Sequence, residues 1–524
     1  MLWLTMGTAD SLQAKVLDFM GRPQAYAPNP ATVERIDTHA SIVFLAGTFA
    51  YKVKRAIKYP FLDFSTLERR LLACRNELCV NARTAPELYL DVVAITVGEG
   101  GGFRLGGDGQ AVEWVLRMRR FDQAMLYDRM AGEGRLGLEA MPRLAGVIAA
   151  FHETADRVLS PDRAVRPLHE VLRDNEESFA ANQDVLPGQA ALELARASRM
   201  SLAALSHLLE ARARGGYVRH CHGDLHLRNI VEIDGAPVLF DAIEFDDRLA
   251  TIDVLYDLAF LLMDLGKRGL GPHANAVLNA YLDAEGGTGN LVGLRTLPLF
   301  LAMRATIRAK VELLRARMAD RVQADAARDE ARVYFELGQT FLSPAAPRLI
   351  GIGGLSGTGK SAVARTLAPS IGAFPGAVHV RSDVERKRLF GVAPGERLPA
   401  RAYAPEVSDR VYAICRKRAL MALQGGQAVV VDAVHAKEEE REQLALLASR
   451  QNVPFTGLWL EAPAGVMRER VAARIGDVSD ATPSVVDEQL DYDIGRQSFE
   501  TIDASLPLDQ VAETCFKRIG AGAA

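Results

Sequence analysis

Two stretches of this chain hold residue types and spacings suited to phosphate chemistry. In His222-Gly223-Asp224-Leu225-His226-Leu227-Arg228-Asn229 an acid and an amide stand five positions apart beside a His-Gly turn. An Asp in such a loop accepts or orients the proton of an attacking hydroxyl, and the Asn coordinates magnesium while fixing the loop. The apolar run Val238-Leu239-Phe240 ends in Asp241, a natural second magnesium ligand. Upstream, Lys52 is expected to neutralise the α- and β-phosphates of a nucleotide, with Glu77 locking its ammonium in place; Lys54 competes for that role.

The second stretch, Gly354-Leu355-Ser356-Gly357-Thr358-Gly359-Lys360-Ser361, is a complete Walker A loop that follows the strand-like Leu349-Ile350-Gly351-Ile352. Here the backbone binds: amides across Gly354, Ser356, Gly357, Thr358 and Gly359 turn inward around a triphosphate, Lys360 bridges the β- and γ-phosphates, and Ser361 ligates magnesium. The N-terminus of the following helix adds positive potential. Asp383, at the end of His379-Val380-Arg381-Ser382-Asp383, is the expected general base, and an Arg close behind it is expected to bind an anionic group on the acceptor. Val429-Val430-Val431-Asp432 resembles a Walker B strand whose Asp432 orients the magnesium shell, with His435 close behind. Arg468, Arg470 and Arg474 share one helix-like stretch before the Gly476-Asp477 turn, and Arg470 and Arg474 are expected to close on the transferring phosphate.

A chain of 524 residues exceeds one ordinary core and predicts about two to four domains. With 49% hydrophobic and 24% charged residues, both halves should fold. A net charge of −4 supplies no general attraction to polyanions, so a small-molecule acceptor is favoured over nucleic acid. The five cysteines, Cys74, Cys79, Cys221, Cys415 and Cys515, are scattered and odd in number, which argues against a disulfide framework or zinc site and for a reducing cytoplasm. Residues 1–14 do not read as a secretory signal. Residues 254–265 are the most apolar helix-like run, but Asp257 and Asp264 interrupt it and it falls short of a membrane span, so a buried core helix is expected and no membrane partner.

The elements that must carry these residues follow from periodicity. Residues 41–54 read as a hairpin turning at Ala46-Gly47, with Lys52 on its second strand. Over 67–82, Leu71, Leu72, Leu78 and Cys79 among charges fit an amphipathic helix carrying Glu77. Strands at 90–96 and 112–118 complete a strand-rich lobe, after which helices run to about Ala213 and resume from about Ile252 to Gly338. The prolines of Phe341-Leu342-Ser343-Pro344-Ala345-Ala346-Pro347 mark the main boundary. Beyond it, strands at 348–353, 377–380, 428–431 and 455–460 alternate with helices at 360–367, 410–423 and 437–449, a parallel sheet covered on both faces. The acidic cluster Glu244, Asp246, Asp247 and Asp253 reads as a solvated face or helix caps.

The His-Gly-Asp-x-His-x-x-Asn loop, the strand ending in Asp241 and the Tyr256-Asp257-Leu258-Ala259 helix start resemble the aminoglycoside phosphotransferase and choline kinase-like family over roughly residues 36–265. That resemblance implies a protein-kinase-like bilobal fold of the α+β class, ATP and magnesium, phosphorylation of a small-molecule hydroxyl, and a brace on the catalytic loop at Asp257. The chain departs from the pattern in Ala242-Ile243-Glu244 after the metal Asp and in lacking an obvious glycine-rich phosphate loop, so antibiotic modification is not implied. Residues 348–516 look like the small P-loop kinases that include gluconate kinase, shikimate kinase, chloramphenicol phosphotransferase and the zeta toxins, which implies an α/β three-layer domain. The order of modules resembles bacterial proteins that fuse the two. The implied division is a kinase-like domain over 1–342, with an N-lobe to about 118 and a helical C-lobe from 119, and a P-loop kinase domain over 343–524.

The function expected is a tandem small-molecule kinase, each half transferring the ATP γ-phosphoryl group to a hydroxyl. The alternatives are one active half beside a nucleotide-gated regulatory half, and a kinase acting on a macromolecule.

Overall fold

A computed structural model describes residues 9–38, 40–59, 62–98, 100–318, 320–393, 395–473 and 478–520. They gather into two compact units: Met1–Gly137 with Thr154–Val158 and Val218–Ile252, and Leu138–Glu153 with Leu159–Tyr217 and Asp253–Ala524.

The first unit is organised by an antiparallel sheet. Its strands are β1 (Val33–Asp37), β2 (Ser41–Ala46), β3 (Phe49–Lys54), β4 (Tyr89–Val97), β5 (Phe103–Leu105) and β6 (Gln110–Arg119), in the order β1-β2-β3-β6-β4-β5. β2 and β3 join through Gly47-Thr48, with Ala46 opposite Phe49 and Gly47 at φ 59°, the tight hairpin expected at that point. One face packs Ile42, Phe44, Tyr51, Val53, Ile95 and Val115 into a buried cluster.

Helix α1 (Leu67–Asn81) crosses this lobe, its N-terminus capped by Thr66, whose Oγ1 accepts from the Arg69 N–H at 3.3 Å. The helix forms where expected but presents a different face. Its buried side chains are Arg70, Ala73, Cys74, Glu77 and Asn81, whereas Leu72 is 59% exposed and Cys79 is exposed. Apolar periodicity misorients this helix because its inner face is polar and satisfied by specific partners: Arg70 Nε, for example, donates to Glu113 Oε1 at 2.8 Å.

A second antiparallel pair, β7 (Ile230–Ile233) and β8 (Ala236–Leu239), also belongs to this unit. Asp234 at φ 51° and Gly235 at φ 72° make its two-residue turn.

The second unit contains the long helices α2 (Met141–Thr154, whose last residue belongs to the first unit), α3 (Asp162–Ala180), α4 (Gly188–Arg214), α5 (Val254–Lys267), α6 (Gly271–Glu285), α7 (Leu297–Met318) and α8 (Arg321–Phe341). Every residue of α5 from Val254 through Leu265 is buried, as expected of a core helix. No described helix is long and apolar enough to cross a membrane. α8 leads through Ser343–Arg348, which form neither helix nor strand, into the sheet.

That sheet has five strands, β9 (Leu349–Gly353), β10 (Val378–Arg381), β11 (Val429–Asp432), β12 (Phe455–Glu461) and β13 (Glu500–Asp503), ordered β10-β11-β9-β12-β13. Every pairing is parallel, which requires crossover connections, and the helices that supply them cover both faces. Ile350 and Ile352 pack with Val363 and Leu367 of α9 (Lys360–Leu367) and Val511 and Cys515 of α15 (Leu508–Ile519). Gly351, between those isoleucines, faces Phe499 and Leu444, the latter on α12 (Glu438–Arg450). The four anticipated strands are present and β13 is an addition. The remaining helices are α10 (Ser382–Phe390), α11 (Pro405–Gln424), α13 (Ala464–Ala472) and α14 (Pro483–Leu490).

Candidate functional site

In the first unit, β3 carries two inward-reaching lysines that share one carboxylate. Lys52 Nζ lies 2.7 Å from Glu77 Oε1 and 2.7 Å from Asp241 Oδ1. Lys54 Nζ lies 2.5 Å from Glu77 Oε2 and is also paired with Glu244 Oε1. Glu77 is completely buried, with Oε1 hydrogen-bonded to Lys52 and Oε2 ion-paired with Lys54.

Burial opposes ionisation of Glu77, but Lys52 and Lys54 outweigh it and bring its pKa down to about 2. Burial likewise works against the charge on Lys52, and Asp241 and Glu77 hold its pKa well above the ordinary value. Glu244 shares a single lysine with Glu77, and burial pushes its pKa up despite Lys54. The Lys52 side chain is 15% exposed and that of Lys54 2%, so of the two competitors Lys52 is the one that reaches the expected metal ligand and retains access to solvent.

The loop 222–229 is held by its own histidines. The Asp224 and Arg228 N–H groups approach Nδ1 of His222 at 3.3 Å and of His226 at 3.2 Å. With Nδ1 accepting, each imidazole carries its proton on Nε2. His222 Nε2 then donates to Phe240 O at 3.0 Å, and His226 Nε2 faces Asp224 Oδ2 at 3.3 Å. Asn229 Nδ2 donates to that same oxygen at 2.9 Å and to the Asp224 backbone carbonyl at 2.9 Å.

The β7–β8 hairpin pairs Ile230 with Leu239, and the Phe240 N–H donates to Asn229 O at 3.0 Å, which brings Asn229 next to the start of the Asp241 segment. Asp241 has φ 59°, a left-handed conformation uncommon outside glycine but tolerated by Asp and Asn. Its flanks are clamped: the Asp241 N–H donates to the Tyr89 hydroxyl at 3.1 Å, and the Ala242 N–H to Asn81 Oδ1 at 2.9 Å. Thus Lys52, Glu77 and Asp241 converge, and Asp224 and Asn229 are directly bonded.

Sequence reasoning missed Asn81, Tyr89 and the role of Glu244. Asn81 stands four residues after Glu77, which places both on one helical face, and that spacing was the available signal. The reading of Glu244 as solvated surface is corrected by its pairing with buried Lys54. For its neighbours the cap reading holds: Asp246 accepts from the Arg248 N–H at 2.9 Å and Asp253 from the Leu255 N–H at 2.9 Å, while the Asp247 side chain is 88% exposed. In the second unit Asp257 Oδ2 lies 3.1 Å from His152 Nε2, whose Nδ1 is 2.9 Å from the Tyr281 hydroxyl.

The site in the second unit is made mainly by backbone. Gly354 adopts φ 136° and Gly357 φ 87°, both outside the comfortable range of L side chains. A Cβ on Gly354 would stand 2.5 Å from Leu460 O, and one on Gly357 2.8 Å from Met467 Cα. The loop therefore sits against β12 and α13 with no room for a side chain at either position. Lys360 Nζ donates back to Leu355 O at 2.9 Å. Thr358 spends both its N–H, at 3.3 Å, and its hydroxyl, at 2.8 Å, on that same carbonyl. The Ser356 N–H donates to Gln489 Oε1 on α14 at 2.7 Å, a contact absent from the sequence reading.

Ser361 Oγ is 2.5 Å from Asp432 Oδ2 at the end of β11, and His379 Nε2 on β10 approaches the same oxygen at 3.2 Å. Burial lowers the pKa of His379, which favours a neutral ring donating to the carboxylate. Asp432 stays below the usual carboxylate range against its burial, through the His379 bond and the charges of Lys360 and Arg381.

Asp383 lies in the first turn of α10, two residues beyond the strand end where it was expected. Burial and then the Asp432 charge raise its pKa, opposed by a Ser479 hydrogen bond and by Lys360. The cations that follow are engaged elsewhere: Arg386 donates to Ala402 O at 2.6 Å, Lys387 to Glu396 O at 2.8 Å and Arg388 to Glu385 at 2.5 Å. His435 is buried, and burial pushes its pKa down to about 3.

Arg470 Nη1 donates to Ala504 O at 2.8 Å and would stand 3.9 Å from a Cβ on Gly359, beside the loop. Arg468 instead pairs at the surface with Asp487 at 2.6 Å. Arg474 lies outside the described residues, as does the Gly476-Asp477 turn.

A charged cluster on an antiparallel sheet, followed by a glycine cradle at the end of a parallel one, defines a two-domain protein of the phosphotransferase class. Residues 103–292 match the family model "Phosphotransferase enzyme family" and residues 349–492 match "AAA domain". The uncharacterized protein Rv2004c of Mycobacterium tuberculosis (strain ATCC 25618 / H37Rv) is 30% identical over 475 residues, covering 88% of this chain and 91% of its own. An uncharacterized protein of Mycobacterium bovis matches with the same identity and coverage. Among solved structures, a choline/ethanolamine kinase family protein from Mesorhizobium loti covers 63% of this chain and 99% of its own, with 15% identity and a TM-score of 0.37. A gluconokinase from Sinorhizobium meliloti 1021 covers 34% of this chain and 93% of its own, with 21% identity and a TM-score of 0.25. The chain belongs to the family of these mycobacterial proteins, in which a phosphotransferase-family segment here precedes a P-loop kinase domain.

Proposed function

We propose that the protein is a tandem ATP-dependent kinase, each half transferring a γ-phosphoryl group to the hydroxyl of a small molecule. The observation that carries this reading is the same in both halves: a lysine acts beside a carboxylate suited to magnesium. Lys52 bonds Asp241 at 2.7 Å, and Asp432, which bonds Ser361 at 2.5 Å, is kept below the usual carboxylate range by the His379 hydrogen bond and then by the charge of Lys360.

The residues fit a magnesium nucleotide. In the second unit the side-chain-free cradle at Gly354 and Gly357 leaves backbone to meet phosphate, and Ser361 with Asp432 would hold the metal. In the first, Asn229 and Asp241 would hold it, with Lys52 on the phosphates and Glu77 fixing the ammonium. Bound magnesium would neutralise charge on the transferring phosphoryl oxygens. Asp224 and Asp383 take the proton of the acceptor hydroxyl as its oxygen bonds to phosphorus and the bond to the β-phosphate oxygen breaks. The elevated pKa of Asp383 suits that task, because a base works best when its pKa approaches ambient pH. Arg470 stands where a cation can meet the phosphate from outside the loop.

Lys360→Ala and Asp224→Asn, made separately and assayed for transfer from labelled ATP across a panel of hydroxyl metabolites, test the proposal. Each is expected to remove one set of products, with a loss of about 10²–10⁴ in rate. If neither variant lowers any ATP-dependent transfer, the proposal falls.

A further inference from the structure

β10 is an edge strand of the parallel sheet, and its outer rim lies where a further strand would pair. The Val378 N–H points inward and donates to Ala428 O at 2.8 Å. The Ala377 carbonyl and the His379 N–H point outward, and helix α6 answers both. Asn275 Nδ2 donates to Ala377 O at 3.1 Å, Asn279 Nδ2 donates to the same oxygen at 3.2 Å, and Asn279 Oδ1 accepts from the His379 N–H at 2.7 Å.

Asn275, Asn279 and Asp283 recur every four residues, so they line one helical face. Asp283 continues the contact, with Oδ1 3.4 Å from Arg388 Nη2 on α10 and its backbone carbonyl accepting from that nitrogen at 2.9 Å. A helix inside the phosphotransferase-family segment thus supplies the hydrogen bonds that a neighbouring strand would give the P-loop sheet.

The two asparagines are not equivalent. Asn275 touches only the Ala377 carbonyl on β10's side, whereas Asn279 also holds the backbone of His379. The imidazole of His379 reaches Asp432 Oδ2 at 3.2 Å, and Ser361 Oγ reaches the same atom at 2.5 Å. We infer that Asn279 is a positioning residue of the P-loop site: by fixing His379 from outside the sheet it aims the imidazole that holds Asp432 toward Ser361. This rests on the reading of Ser361 and Asp432 as the magnesium pair.

The test uses the full chain and binding of a fluorescent ATP analogue, titrated with magnesium, taking the part of the signal that Lys360→Ala abolishes. Asn279→Ala is expected to raise the magnesium concentration at half-saturation about 10-fold, the size typical of losing a partner behind a metal ligand. Asn275→Ala is expected to leave that midpoint within about twofold while lowering thermal stability like Asn279→Ala, since both lose a bond to the edge strand. Equal midpoints for Asn279→Ala and Asn275→Ala overturn the inference while leaving the magnesium site standing. A wild-type signal that Lys360→Ala does not reduce overturns the reading of the site and this inference with it.

Discussion

The site on β3 and the β7–β8 hairpin is built from charges, whereas the one after β9 is built from the absence of side chains. The first needs one buried lysine and one partly exposed, three carboxylates and the amide and phenol that clamp Asp241, drawn from elements far apart in sequence. The second needs eight consecutive residues, one distant carboxylate and the room created by glycine. The consequence is energetic. In the first unit the groups assigned to nucleotide binding also neutralise one another in the interior, so function and stability share residues. In the second, Lys360 and the loop amides sit on a core that packs without them.

The largest effect that separates the two should come from Glu77→Ala. It leaves Lys52 and Lys54 without their common counter-charge, and breaking a buried pair by removing one partner costs about 3–5 kcal/mol. Chemical denaturation should register a loss of that size in the first unit, whereas Lys360→Ala should leave the denaturation midpoint nearly unchanged. Comparable losses from both substitutions would erase the distinction. Next in size is Gly357→Ala. The added Cβ would lie 2.8 Å from Met467 Cα at a φ of 87°, so the loop must move or strain by about 1–3 kcal/mol. Nucleotide affinity at that site should fall about 10- to 100-fold with the circular dichroism spectrum intact, and an unaltered affinity would mean the loop amides do not carry binding.

That difference in construction also explains what could be read from the sequence. The Walker A loop, β9, β11 and β12 were legible because the loop's requirement is local and the strands are continuous apolar runs. Asp224, Asn229 and Asp241 were legible as a series, but the turn at Asp234-Gly235 that brings the last two together was passed over. The face of α1 was misjudged because periodicity assumes that inner faces are apolar, and here Arg70, Glu77 and Asn81 point inward to particular partners. Gln489 on Ser356 and Asn279 on His379 left no sequence signal, since a lone amide side chain becomes informative only once the fold has placed its backbone partner.

The smallest predicted effect is a difference in pH dependence within the charged cluster itself. Glu77 titrates in the folded protein near about 2, below its ordinary 4.5. Between those values the unfolded chain binds more protons, so the stabilisation from Glu77 is full above about 4.5 and drains away as the pH falls toward about 2. The gap in melting temperature between wild type and Glu77→Gln should therefore narrow by a few degrees on going from about pH 5 to about pH 3. Glu244 is shifted the other way, because burial outweighs the one lysine it shares with Glu77. Its contribution is present below the ordinary value and lost as the pH rises through the folded one, so Glu244→Gln should gain on wild type with rising pH. Parallel pH profiles for the two variants would mean that the two carboxylates draw equally on Lys54, and the asymmetry that singles out Glu77 as the brace of Lys52 would be gone.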